Sequence, residues 1–111
     1  MDNIRLRHDE DRQRYEAHLG EACVAVLYYE DEDATGTVVR DMRSTIVSPD
    51  HANEGIGSVL VRFALDDARE AGLPVKPTCW FVAGWIQRHP EYADLLAEAP
   101  LAPDTPAEGT A

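Results

Sequence analysis

The chain has 111 residues, 44% of them hydrophobic, which suits one folded domain with a modest core. Its formal net charge of −11 argues against nucleic acid and anionic membrane as partners, since both reward basic surfaces; it would attract cationic amines, or it serves solubility alone. No apolar run approaches the roughly 18–20 residues of a membrane span, and the opening MDNIRLRHDEDRQRYE is too charged for a secretory signal.

Along the chain, IRLRH alternates, with Ile4 and Leu6 on one face, and RYEAHLG alternates through Tyr15, Ala17 and Leu19. EACVAVLYY is almost wholly apolar and reads as a central strand buried on both faces. EDEDATG reads as a polar turn, and TVVRDMRSTIV as a long strand rich in β-branched residues. Four strands with short turns favour an antiparallel meander. The period then becomes helical: Ile56, Val59, Leu60, Phe63, Ala64 and Ala68 share one face. Gly72 supplies the C-terminal stop, and Pro74 prevents the helix from resuming. LPVKPTC is a short fifth strand whose two prolines suit an edge or splayed position. WFVAGWIQRHP reads as a second helix ending before Pro90, and EYADLLAE as a short third. Residues 1–98 form one domain, and residues 99–111, rich in Pro, Ala and Thr, form a disordered tail.

This order gives an α+β fold. The main helix crosses over between the fourth and fifth strands, making them parallel neighbours or near neighbours. The loop that enters that helix, Asn53-Glu54-Gly55-Ile56-Gly57-Ser58, combines glycines with the free amides of a helix N-terminus. Such amides hold a phosphate or pyrophosphate, although glycines also simply make tight turns. No Gly-Lys-Ser/Thr follows, so the loop is not a Walker motif. The strands before it arrive without alternating helices, which argues against a dinucleotide fold.

The segment SPDHANEGIGSVLVRFALDDAREAGLPVKPTCWFVAGWIQRHPEYADLL resembles the acetyl-CoA-binding half of the GNAT acetyltransferase superfamily. The likeness extends upstream through GEACVAVLYY, and it is strongest to a compact single-domain subgroup. The Arg/Gln-x-x-Gly-x-Gly/Ala loop of that superfamily is filled by Ala52 to Gly57, and TCWFVAGWIQRHPEYADL matches the subgroup's cysteine, aromatic-rich helix and HPEY-like ending. The resemblance implies a GNAT-like fold with acetyl-CoA as co-substrate. The pantetheine arm would enter between splayed fourth and fifth strands and pair near Thr45, Ile46 and Val47, with the Val47 amide as candidate oxyanion donor. The pyrophosphate would rest on Asn53 to Ser58, and the thioester would lie beside Cys79. Two positions depart from the pattern: Ala52 replaces the loop Arg or Gln beside an acidic Glu54, and Ser44 stands where many relatives carry a histidine. A proton would then leave the amine through water, His51 or Asp41, unless the amine arrives neutral.

Cys79 is the candidate catalytic residue, as a nucleophile or as a thiol lining a direct-transfer site; packing alone is the third reading. Cys23, mid-strand in an apolar run, is a packing residue. Two cysteines so far apart make neither a disulfide scaffold nor a zinc site, and both are expected as reduced thiols in a cytoplasm. Trp80, Phe81 and Trp85 read as core, His89 as a helix-end residue bonding carbonyls, and Arg88 as solvated. His8 and His18 lie on strands without an evident partner, and four scattered histidines make no metal site. The sequence thus points to an acetyl-CoA-dependent N-acetyltransferase whose acceptor is a primary amine of a small molecule or protein. The alternatives are a noncatalytic module binding CoA or acyl-CoA, and an interaction domain that keeps only the fold.

Overall fold

The computed structural model describes residues 3–34 and 36–97, so the expected tail lies outside the described residues. Strands β1 (Ile4–Asp9), β2 (Arg14–Leu19), β3 (Ala22–Ala34) and β4 (Thr37–Val47) form the antiparallel meander. Helix α1 (Ile56–Ala71) crosses over to β5 (Val75–Pro77), which pairs parallel with β4. Helix α2 (Trp80–Arg88) and a 3-10 segment (Pro90–Leu95) follow, and the sheet order is β1-β2-β3-β4-β5.

The core lies on one face of the sheet. Tyr15, Ala17, Leu27, Tyr29 and Met42 meet Ile56, Leu60, Val61, Ala64, Leu65 and Ala68 of α1, and Val82, Trp85 and Ile86 of α2 join them. The period of 3.6 turns one side of α1 inward, so its apolar stripe is what seats the helix. Gly72 closes α1 with φ 73°, and the Leu73 amide bonds the Ala68 carbonyl at 2.9 Å. The C-terminal segment returns beside β5, where the Ala97 amide donates to the Val75 carbonyl at 2.9 Å.

Two expectations for β3 are corrected. Its apolar run is buried on one face only: Ala25, Leu27 and Tyr29 are buried, Val26 and Tyr28 are half-buried, and Cys23 is exposed. Both helices pack on the same side, so the antiparallel sheet leaves the other to solvent. The polar turn is mostly strand, because β3 continues through Glu30–Ala34 against Thr37–Asp41. Arg40 explains this, since its Nε and Nη2 donate to the two Asp31 oxygens, each at 2.8 Å.

Arg40 also donates to the Tyr15 hydroxyl at 2.7 Å, and that hydroxyl donates to Asp67 of α1 at 2.8 Å. His8 bonds the Tyr29 hydroxyl, lies 3.3 Å from Asp67 and stacks on Tyr15. The histidine without an evident partner therefore belongs to a polar network that ties α1 to four strands.

Candidate functional site

β4 and β5 stay paired only from Arg40↔Val75 to Met42↔Pro77. The last bond across them is the Cys79 amide to the Met42 carbonyl, 2.8 Å. Beyond it the chains diverge. The divergence coincides with a bulge: Tyr29 faces Met42 and Tyr28 faces Ser44, so Arg43 is an extra residue in β4. A bulge bends its strand and resets which peptide groups face which neighbour. The Ser48 amide donates to the Val24 carbonyl at 2.8 Å, so by alternation Ile46 pairs with Val26. The peptide groups of Thr45 and Val47 therefore face the gap. Ile46 does not, and its side chain is 57% exposed on the helix-free face.

The gap is a cleft of about 240 Å³, lined by Arg43, Ser44, Thr45 and Val47 of β4 and by Thr78 to Phe81. Cys79 forms its inner wall. This residue has extended backbone as the N-cap of α2, is 6% exposed, and places Sγ 3.6 Å from the Thr45 hydroxyl. Asp41 lies next to the cleft but is 1% exposed; it accepts bonds from the Thr78 hydroxyl and from Arg43 at 2.8 Å. Both of its oxygens are engaged, so it is a buried anchor and not a free base.

The glycine loop abuts the same cleft. Asn53 and Gly55 have φ of 69° and 82°, left-handed values that turn the chain sharply into α1. No side chain caps the helix, and the first amide with a helical partner is that of Val59, bonded to the Gly55 carbonyl at 3.1 Å. The amides of Ile56, Gly57 and Ser58 precede it and have no intrahelical acceptor. Gly57 has its own steric reason: a Cβ there would stand 3.1 Å from the Phe81 ring and 3.5 Å from Val47. It lets α1 approach the cleft wall closely. Glu54 faces His51 at 3.0 Å and Ser58 accepts the Trp85 indole N–H at 2.7 Å, so both side chains have protein partners.

Other expected residues divide. Trp85 is buried, and His89 stacks on it while bonding its carbonyl at 2.8 Å, the expected helix-end role. Arg88 is exposed. Trp80 is not core: it is 81% exposed at the cleft rim, because the buried stripe of α2 runs through Val82, Trp85 and Ile86. Cys23 is likewise exposed and not packed. The sequence reading missed the Arg43 bulge, for which a single strand carries no signal.

A protein-family model described as GCN5-related N-acetyl-transferase matches residues 14–95, a span that includes the cleft and the glycine loop. A comparison with curated proteins finds no match.

Proposed function

The chain belongs to the GCN5-related N-acetyltransferase family, and on that premise we propose that it transfers the acetyl group of acetyl-CoA to a primary amine. The observation that carries the reading is the free edge of β4, where Thr45 and Val47 offer peptide groups beside Cys79. Those groups suit the pantetheine amides. The amides of Ile56, Gly57 and Ser58, where α1 meets Phe81 and Val47, suit the pyrophosphate.

The neutral amine nitrogen attacks the thioester carbonyl carbon, and the oxyanion takes the hydrogen bond of the Val47 amide. Collapse breaks the C–S bond while the amine's proton passes through water to the departing sulfur, leaving the amide and free CoA thiol. Binding both partners in one cleft supplies the proximity term. The Cys79 sulfur lies against the Thr45 hydroxyl, and among the described residues no imidazole or carboxylate touches it. That favours direct transfer over an acetyl-enzyme, because a thiol needs a base to become the nucleophile.

The second reading is a noncatalytic CoA-binding module. It is favoured by one observation: among the described residues, those of β4 and of the start of α2 that line the cleft include no histidine and no carboxylate. A thermal shift with CoA, followed by release of CoA thiol from acetyl-CoA with small amines, polyamines and peptides, separates the two. A shift with amine-dependent release supports the transferase. A shift without release supports the module, and no shift removes both.

A further inference from the structure

The β2–β3 hairpin has a second bulge, beside the end of β4, where Ala25 pairs with Val47. Ala17 faces Ala25 and His18 faces Cys23, so Val24 is the extra residue. Without it His18 would face Val24, and the pleat would send Cys23 to the helix side. With it, Val24 and Ala25 both turn into the core, and Cys23 joins Glu16 and His18 on the helix-free face. One ligand atom from each of the three residues lies within 4.8 Å of the other two.

We propose that Glu16, His18 and Cys23 form a binding site for a borderline-soft divalent cation of the zinc class. A carboxylate oxygen, an imidazole nitrogen and a thiolate sulfur are the donor types such a cation selects, and three protein ligands leave a fourth position for water. Zinc bonds of about 2.0–2.3 Å bring tetrahedral ligands within roughly 3.3–3.8 Å of one another, so closure needs side-chain shifts of about 1 Å. The donors stand on paired strands, and His18 is directly across from Cys23, so the backbone need not move.

The supporting contacts are those of an oriented ligand set. Glu16 is 2% exposed in the middle of β2. Its Oε2 accepts the Arg14 Nε–H at 2.7 Å, which fixes the carboxylate and leaves Oε1 turned to His18 at 2.8 Å. The cation takes the place of the proton shared by His18 Nε2 and Glu16 Oε1, leaving the ring neutral with its proton on Nδ1. The Cys23 thiol loses its proton in the same step. Arg14, and Arg7 at 3.5 Å from Oε1, oppose the incoming charge, which sets the expected affinity below that of a four-ligand structural site. Cys23 provides the entry path: it is exposed and borders an open depression of about 180 Å³ over Val26 and Ile46.

The proposal is independent of acetyl transfer, and its test uses no substrate. Untagged, reduced, metal-free protein is titrated with cobalt(II) and then with zinc(II). The expected result is one cobalt per chain, a thiolate-to-cobalt charge-transfer band, and ligand-field bands of four-coordinate intensity that zinc abolishes. Cys23→Ser should lose the charge-transfer band, His18→Ala should bind cobalt at least about tenfold more weakly, and Cys79→Ser should behave as the parent. Zinc should raise the melting temperature of the parent and not that of Cys23→Ser, whose exposed position makes misfolding a poor explanation. Absence of the band at stoichiometric cobalt overturns the proposal. So does a band that survives Cys23→Ser, or one that is lost with Cys79.

Discussion

At the scale of single residues, Cys79 and Cys23 are the informative pair, because one is buried at the cleft and the other exposed on the open face. With chelator present, iodoacetamide should modify Cys23 first, and CoA should slow modification of Cys79 alone. Equal Cys79 alkylation with and without saturating CoA would place the ligand elsewhere. Under direct transfer Cys79→Ser keeps much of the turnover, Cys79→Ala keeps CoA affinity within about tenfold, and no acetyl mass accumulates on the protein. A labile acetyl on Cys79 that chases into amine would establish the covalent route instead. Gly57 makes a sharper test of the loop. Gly57→Ala adds a Cβ at 3.1 Å from a half-buried ring that can yield, so stability should change by no more than about 1 kcal/mol. Gly57→Glu brings a negative charge to the three free amides and should remove the thermal shift with CoA. A folded Gly57→Glu variant that keeps the full shift would take the anion off this loop.

At the scale of elements, the network joining α1 to the strands separates buried from exposed charge. Arg40 is buried, with two bonds to Asp31, one to Tyr15 and its guanidinium over the Tyr29 ring at 4.1 Å. Removing it takes both bonds from the Asp31 carboxylate and the donor from the buried Tyr15 hydroxyl, so Arg40→Met should cost about 3 kcal/mol in chemical denaturation. Arg69→Met breaks an exposed pair with Asp94 and should cost far less. Similar losses for both would mean that the network is not a unit. The same elements show where a sequence is readable. The meander, α1 and its Gly72 stop follow from local periodicity and one backbone preference, whereas of the three β4 residues named from the family resemblance Thr45 and Val47 face the gap and Ile46 does not. The extension of β3 depends on Arg40, nine residues away on the next strand. The bulges at Val24 and Arg43 exist only relative to a partner strand, so no single-strand pattern carries them. Trp80 was legible in principle: Val82, Trp85 and Ile86 already define an inward stripe, and Trp80 lies about 140° round the helix from Trp85.

At the scale of the whole molecule, buried phenols set the alkaline limit of stability. Burial is the main cause that raises Tyr15, Tyr29 and Tyr92 above the ordinary tyrosine value of 10.0, Asp67 adding to it at Tyr15 and Asp66 at Tyr92, while Arg40 and Arg62 act in the opposite sense. A group raised in the folded state contributes stability below its unfolded pKa and loses it as pH rises above that value. Above about pH 10 the unfolded chain releases these protons while the folded chain retains them, which costs up to about 1.4 kcal/mol per pH unit for each tyrosine. Glu16 sets the acid side. Burial pushes its carboxyl up, but bonds from His18 and Arg14 and the charges of Arg14 and Arg7 hold it below the usual range, so that contribution fades as pH falls below about 4. Melting temperature should therefore be flat near neutrality and fall steeply from pH 10 to 11, with tyrosinate absorbance rising together with loss of circular dichroism. The chain's charge of −11 offers a competing cause, because added negative charge also drives the folded state apart. Salt distinguishes them: it screens surface repulsion and leaves the cost of ionising a buried phenol nearly unchanged. The alkaline fall should persist in 0.5 M sodium chloride, a concentration at which the screening length is only about 4 Å. A fall that salt abolishes, or tyrosinate absorbance that develops fully in the folded protein, would assign the alkaline limit to net charge and not to the tyrosines beneath α1.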